Sequence, residues 1–141
     1  VGTANLSRYK QGEEVYGSIG KHCRGEITGY ETVNTTTLDA YIEQNHISHI
    51  DLLKMDIEGA EFPALRGAYQ ALSNNKIKAI VLEMADINTA GFGYRAIEIW
   101  DYLEALGYRF HRFDRKGRVF DMAVRPPDFS TAQNLLAVKN T

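Results

Sequence analysis

Residues 49–61, His-Ile-Asp-Leu-Leu-Lys-Met-Asp-Ile-Glu-Gly-Ala-Glu, constrain the chain more than any other stretch. Residues 50–57 read as a buried strand, because Leu52, Leu53, Met55 and Ile57 leave no consistently wet face. Gly59 breaks that strand. Residues 61–72 then take up a helical period, with Phe62, Leu65, Tyr69 and Leu72 on one side. A hydrophobic strand, a tight acidic turn and an amphipathic helix are the first two parts of a βαβ unit. Open α/β sheets bind ligands at the carboxyl ends of such strands. Asp56 and Glu58 stand at that mouth.

The flanking sequence extends the same alternation. Residues 31–33 form a candidate short strand, followed by a helix to about Gln44 that Thr37 can cap and Asp39 can favour electrostatically. Pro63 suits the first turn of the helix that follows the acidic turn. Residues 77–84 are another apolar strand, and residues 94–106 a helix carrying Ile97, Trp100 and Leu103, stopped by Gly107. Residues 108–113 alternate as a strand, residues 119–124 return as its partner, and residues 134–138 close the chain as a last strand. Pro126 and Pro127 mark a loop between them. Strands alternating with helices argue for a largely parallel α/β sheet with an antiparallel edge hairpin.

Residues 1–30 read differently. Six of the twelve glycines fall there with few apolar residues between them, which predicts surface loops or irregular hairpins. No phosphate-cradling glycine loop of the G-x-G-x-x-G or G-x-x-x-x-G-K-[ST] kind is present. The chain is expected to be one domain of 141 residues, a loop-rich lead-in over 1–30 and an α/β core over 31–141. Its start at Val1 suggests a piece of a longer polypeptide. A net charge of −2 gives no footprint for nucleic acid or an anionic membrane, and no apolar run approaches the roughly 18 residues of a membrane span. Cys23 is the single cysteine, so no internal disulfide or cysteine-based zinc site is expected. That favours a reducing, cytoplasmic compartment.

Three groups of residues together are recognisable: Thr37-Leu38-Asp39, the run from Ile50 to Glu61, and Leu65-Arg66-Gly67-Ala68. With Glu83 late in its strand and a closing Asn134-Leu135-Leu136-Ala137, they resemble the FkbM family of S-adenosylmethionine-dependent methyltransferases. The resemblance covers about residues 35–138. It implies a Rossmann-like class I methyltransferase sheet, of which the chain looks like the C-terminal part, lacking the N-terminal cofactor-binding strands. It also implies S-adenosylmethionine as cofactor and a small-molecule or sugar hydroxyl as methyl acceptor.

Under that resemblance Asp56, Lys54 and Glu58 are the catalytic candidates. Asp56 would orient the acceptor hydroxyl or take its proton, and a carboxylate there also suits the N-terminus of the next helix. Lys54 can pair with Asp56, pair with Glu83, or reach solvent. Asp56 and Gly59 are the cofactor-binding candidates, Gly59 because it permits a sharp turn or a close backbone approach. Glu83 and Asp86 are the candidates for holding the acceptor. Glu61 reads as structural, since acids are favoured at helix starts. His22, His46, His49 and His111 show no metal-ligand spacing. Two other readings stay open: a divalent-metal hydrolase or phosphotransferase using Asp56, Glu58, Glu83 and Asp86, and an inactive half domain. An exposed sheet edge would then invite a homodimer.

Overall fold

The structure is a computed structural model describing residues 2–9, 19 and 27–140. Strands β1 (Gly2–Tyr9) and β2 (Ile27–Thr35) pair antiparallel as a sheet of their own, Leu6 opposite Glu31. Of the surface loops or irregular hairpins expected there, the described residues show an antiparallel pair whose register shifts between Arg8 and Tyr9. β2 carries Thr28, Tyr30, Thr32 and Val33, residues that suit a pleated strand, although its low apolar content conceals this. Gly12, Gly17, Gly20, Gly25, His22 and Cys23 lie outside the described residues.

Helix α1 (Leu38–Gln44) starts at Thr37, whose Oγ accepts the Ala40 N–H at 3.2 Å. Strand β3 (Ile50–Met55) follows. The helix expected over 61–72 is broken in two, α2 (Glu61–Arg66) and α3 (Tyr69–Ser73). Asp39 explains the break. Its two carboxylate oxygens accept the N–H groups of Gln70 and Ala71, both at 2.9 Å, while its own N–H donates to Gly67 O at 2.9 Å. The second helix therefore has a new start, capped from α1 rather than from its own chain. A Cβ on Gly67 would stand 3.3 Å from Thr37 Cβ, so the two sequence motifs meet at close quarters.

Strand β4 (Ile77–Met84), helix α4 (Asp86–Thr89), a 3-10 turn (Ala90–Phe92) and helix α5 (Ala96–Ala105) lead to strands β5 (Tyr108–Phe113), β6 (Val119–Met122) and β7 (Gln133–Lys139). The second sheet runs β3-β4-β7-β5-β6, and of its neighbouring pairs only β3–β4 is parallel. It is mixed, not mostly parallel. β7 returns from the proline-bearing loop and inserts between β4 and β5, antiparallel to both. An apolar run such as Asn134-Leu135-Leu136-Ala137 carries no mark of direction, so the sequence could not reveal this.

Register shows where the core lies. Leu53, Ile80, Ala137 and Phe110 form one row across the sheet, and Met55, Leu82 and Leu135 the next. This face packs with Leu65, Leu72, Ile99, Trp100 and Leu103 from the helices into one core, each fully buried side chain contributing roughly 1.5–3 kcal/mol. Trp100 stacks on Phe110 with ring centroids 4.0 Å apart. The opposite face holds Leu52, Ala79, Val81, Leu136 and Val138 and is only partly covered, Leu52 being 57% exposed. β3 is therefore dry on one side and not on both, which corrects the reading of a fully buried strand. Lys139 locks the far end. Its ammonium donates to Leu72 O at 2.9 Å and to Leu106 O at 2.5 Å, gathering the carboxyl ends of α3 and α5.

Candidate active site

The carboxyl ends of β3 and β4 bring the acidic candidates to one rim. Lys54 faces Val81 in register and Met55 faces Leu82, so one further step sets Asp56 level with Glu83 on the neighbouring strand. Of the two carboxylate partners open to Lys54, the structure selects Asp56. The ammonium lies 2.8 Å from Asp56 Oδ2, both side chains more than half exposed. Such a pair adds little stability, but it fixes where the carboxylate points.

The turn that follows is closely held. Glu58 and Gly59 have φ of 52° and 96°, two left-handed residues in succession. For Glu58, which has a Cβ, this conformation costs roughly 1–2 kcal/mol. Gly59 is demanded by its neighbours. A Cβ there would overlap the Asn88 carbonyl oxygen and stand 2.8 Å from the carbonyl carbon and 3.1 Å from the Phe92 ring. The close approach that its glycine permits is thus made to the backbone of α4.

Two further side chains brace the turn. Glu61, 3% exposed, folds back so that its carboxylate accepts the Ile57 N–H at 3.1 Å. Burial raises its pKa above the ordinary carboxylate value, backbone N–H groups offset part of that rise, and the neighbouring Glu58 adds to it. The Tyr94 hydroxyl donates to Gly59 O at 2.5 Å and accepts the Phe62 N–H at 3.2 Å. Burial pushes its pKa well above the ordinary phenol value. The Phe62 ring tilts against Tyr94 and meets Tyr102 edge-on, with centroids 5.2 and 5.4 Å away.

Glu83 and Asp86 fare differently. Glu83 Oε2 accepts from Asn88 Nδ2 at 3.0 Å. The Asn88 amide thus turns its NH₂ toward Glu83. Asn88 Oδ1 is left buried with no protein donor, an acceptor position still open beside Glu83. Asp86 is fully engaged. Its Oδ1 accepts the Ala96 N–H and its Oδ2 the Phe129 N–H, both at 2.9 Å, so it starts α5 and ties down the loop before β7. Among the described residues, no group of three or more His, Cys, Asp or Glu could hold a metal ion. Asp56, Glu58, Glu83 and Asp86 do not form the cluster that the metal-hydrolase reading needs.

Tyr94 and Asn88 are the residues that the sequence did not reveal as part of this rim. Tyr94 lies 35 positions from the carbonyl it holds. In sequence it reads as the first residue of the helix expected over 94–106, outside the Ile97, Trp100 and Leu103 stripe, whereas α5 begins at Ala96.

Beside β3 the helix-covered face opens into an apolar hollow of about 390 Å³, lined by Leu38, Tyr41, Leu53, Met55, Ile57 and Leu65. β3 has no strand neighbour on that side among the described residues. No described helix is long and apolar enough to cross a membrane.

A family model described as the methyltransferase FkbM domain matches residues 3–110. The match begins upstream of the motif residues, takes in β1 and β2, and ends before β6 and β7. Neither the curated proteins nor the solved structures yield a match. With the match spanning most of the 141 residues, and with the Thr37-Leu38-Asp39 and Leu65-Arg66-Gly67-Ala68 motifs locked together beside the acidic turn, the chain belongs to the FkbM methyltransferase domain family.

Proposed function

We propose that this rim is the acceptor side of an S-adenosylmethionine-dependent methyltransferase site in a Rossmann-like domain, acting on a hydroxyl of a small molecule or sugar. The observation that carries the reading is Asp56 itself, exposed just past the end of β3 and paired with Lys54 at 2.8 Å, at the end of the sheet where Glu83 also lies. When bound, S-adenosylmethionine supplies an electrophilic methyl on a positively charged sulfur. Asp56, Glu83 and the open Asn88 Oδ1 form an acceptor-rich set that fits the cationic end of that molecule. Among the described residues nothing cradles its ribose or carboxylate. The free edge of β3, beside the apolar hollow, is where the cofactor-binding strands of the domain would pair.

Within this site Asp56 would take the proton of the acceptor hydroxyl, while the cofactor would supply the methyl and keep the electrons of its S–CH₃ bond, leaving as S-adenosylhomocysteine. Lys54 holds that carboxylate in position. Glu83, one oxygen already engaged by Asn88, offers its other to a hydroxyl of the acceptor. Asp86 acts as a positioning residue, because both of its oxygens build the wall. Glu58 and Gly59 shape the turn at the mouth, and much of the rate gain comes from alignment.

Isothermal titration of S-adenosylmethionine, into this chain and into a version extended upstream, tests the reading. Binding by the extended chain is expected. A folded extended protein that takes up no S-adenosylmethionine would overturn it.

A further inference from the structure

β5 runs parallel to β3 and β4, so its carboxyl end and the turn to β6 sit on the same rim as Asp56. Three strand spacings separate the columns, about 14 Å. The charge there is reversed. Residues 109–125 hold six Lys and Arg against two Asp, a net of +4, leaving the remaining 10 basic and 16 acidic residues at −6. Arg118 pairs with Asp114 at 2.7 Å and Arg125 with Asp101 at 2.7 Å, and Arg109 lies 3.5 Å from Glu104. Among the described residues, Arg112, Arg115 and Lys116 have no ion-pair partner.

The same hairpin displays apolar side chains. Val119, Phe120, Met122 and Val124 are between 53% and 86% exposed. Phe113 and Phe120 flank Arg112 and Arg115 around a shallow hollow at the tip. β6 is also the last strand of its sheet. Edge strands normally avoid such exposure, and clustered exposed apolar groups mark interaction surfaces.

We propose that this hairpin docks on an anionic lipid bilayer, Arg112, Arg115 and Lys116 at the headgroups and Phe120, Met122 and Val124 in the interface. Charge complementarity selects the occupant. A phosphate backbone would satisfy the cations and leave Val119, Met122 and Val124 in water, whereas an anionic bilayer receives both kinds of side chain. Summed over the rest of the chain the charge is −6, so the long-range field of the molecule favours approach to such a surface through this stretch. The inference does not rest on the methyltransferase reading. Should both hold, the carboxylates of the rim would face the membrane.

Co-sedimentation of the purified protein with phosphatidylcholine vesicles, with and without phosphatidylserine, is the test. Binding is expected only to the phosphatidylserine vesicles and should fall steeply with added salt. The double variant Arg115→Glu, Lys116→Glu removes two attractive charges and should weaken partition by at least about 25-fold, taking about fivefold for each. Phe120→Ser with Val124→Ser should weaken it at every salt concentration. Circular dichroism should show both variants folded, since all four residues are exposed. Absence of binding by the native protein, or undiminished binding by the charge-reversed variant, would overturn the proposal. A dimer that Phe120→Ser abolishes, with no vesicle binding, would assign the surface to a second copy instead.

Discussion

The acidic turn at residues 56–61 and the basic hairpin at residues 112–122 share one rim of one sheet, yet they are built in opposite ways. The turn is fixed from three directions: Glu61 reaches back to the Ile57 N–H, Tyr94 holds Gly59 O, and the backbone at Asn88 presses on Gly59. The hairpin is held by its own ladder and by Asp114, which accepts from the backbone N–H groups of Lys116 and Arg118. Strained backbone persists only where the surroundings over-determine it. The left-handed pair Glu58 and Gly59 lies in the braced turn. The hairpin's only left-handed residue is Gly117, which has open space around it. The difference separates a preorganised site from a contact surface.

Substitutions can break this contrast. Gly59→Ala should be the most severe, since its methyl meets the Asn88 carbonyl and its φ of 96° is strained for any other residue. A loss of at least about 3 kcal/mol in urea unfolding is expected. If Gly59→Ala unfolds like the native chain, the turn is not braced as described. Tyr94→Phe leaves Gly59 O and the Phe62 N–H without their partner and should cost about 2 kcal/mol. Phe120→Ser in the hairpin should change unfolding stability by no more than about 0.5 kcal/mol. A larger loss would show that Phe120 packs in the folded protein.

The sign of one pH effect sharpens the same contrast. Glu61 has a folded pKa raised above 4.5, its ordinary value, chiefly by burial. The folded state therefore holds this proton more tightly than the unfolded state. Its contribution is fully present below the unfolded pKa and is lost as pH rises through the raised folded value. Glu61→Gln cannot ionise, so the fall in stability across that window should flatten, as read from urea midpoints at successive pH. An unchanged slope would mean that the carboxylate is not desolvated.

Much of this was legible in the residues. The run from Ile50 to Glu61 announced a strand, an acidic turn and a helix, and Glu61 read as structural because helix starts favour acids. The two-residue spacing of Lys54 and Asp56, which puts both on one face, made their pairing one of three open outcomes, and the structure selects it. Other features depended on partners distant in sequence. Asp39 breaks the helix at Gly67 from about 30 positions away, and an unbroken apolar stripe through Phe62, Leu65 and Leu72 hid that. Leu52 and Leu53 look equally buried in sequence, but the helices cover only the face that Leu53 shares. The net charge of −2 concealed a net +4 over residues 109–125 on a −6 remainder, because a sum over the chain discards position.

The most direct test of the central claim is formation of S-adenosylhomocysteine by the full-length protein, native and Asp56→Asn, supplied with hydroxylated acceptors. The native protein should turn over. Asp56→Asn, still folded and still binding S-adenosylmethionine, should be slower by roughly 10²–10⁴-fold, the range for loss of a general base. An Asp56→Asn protein that turns over at the native rate would contradict the account.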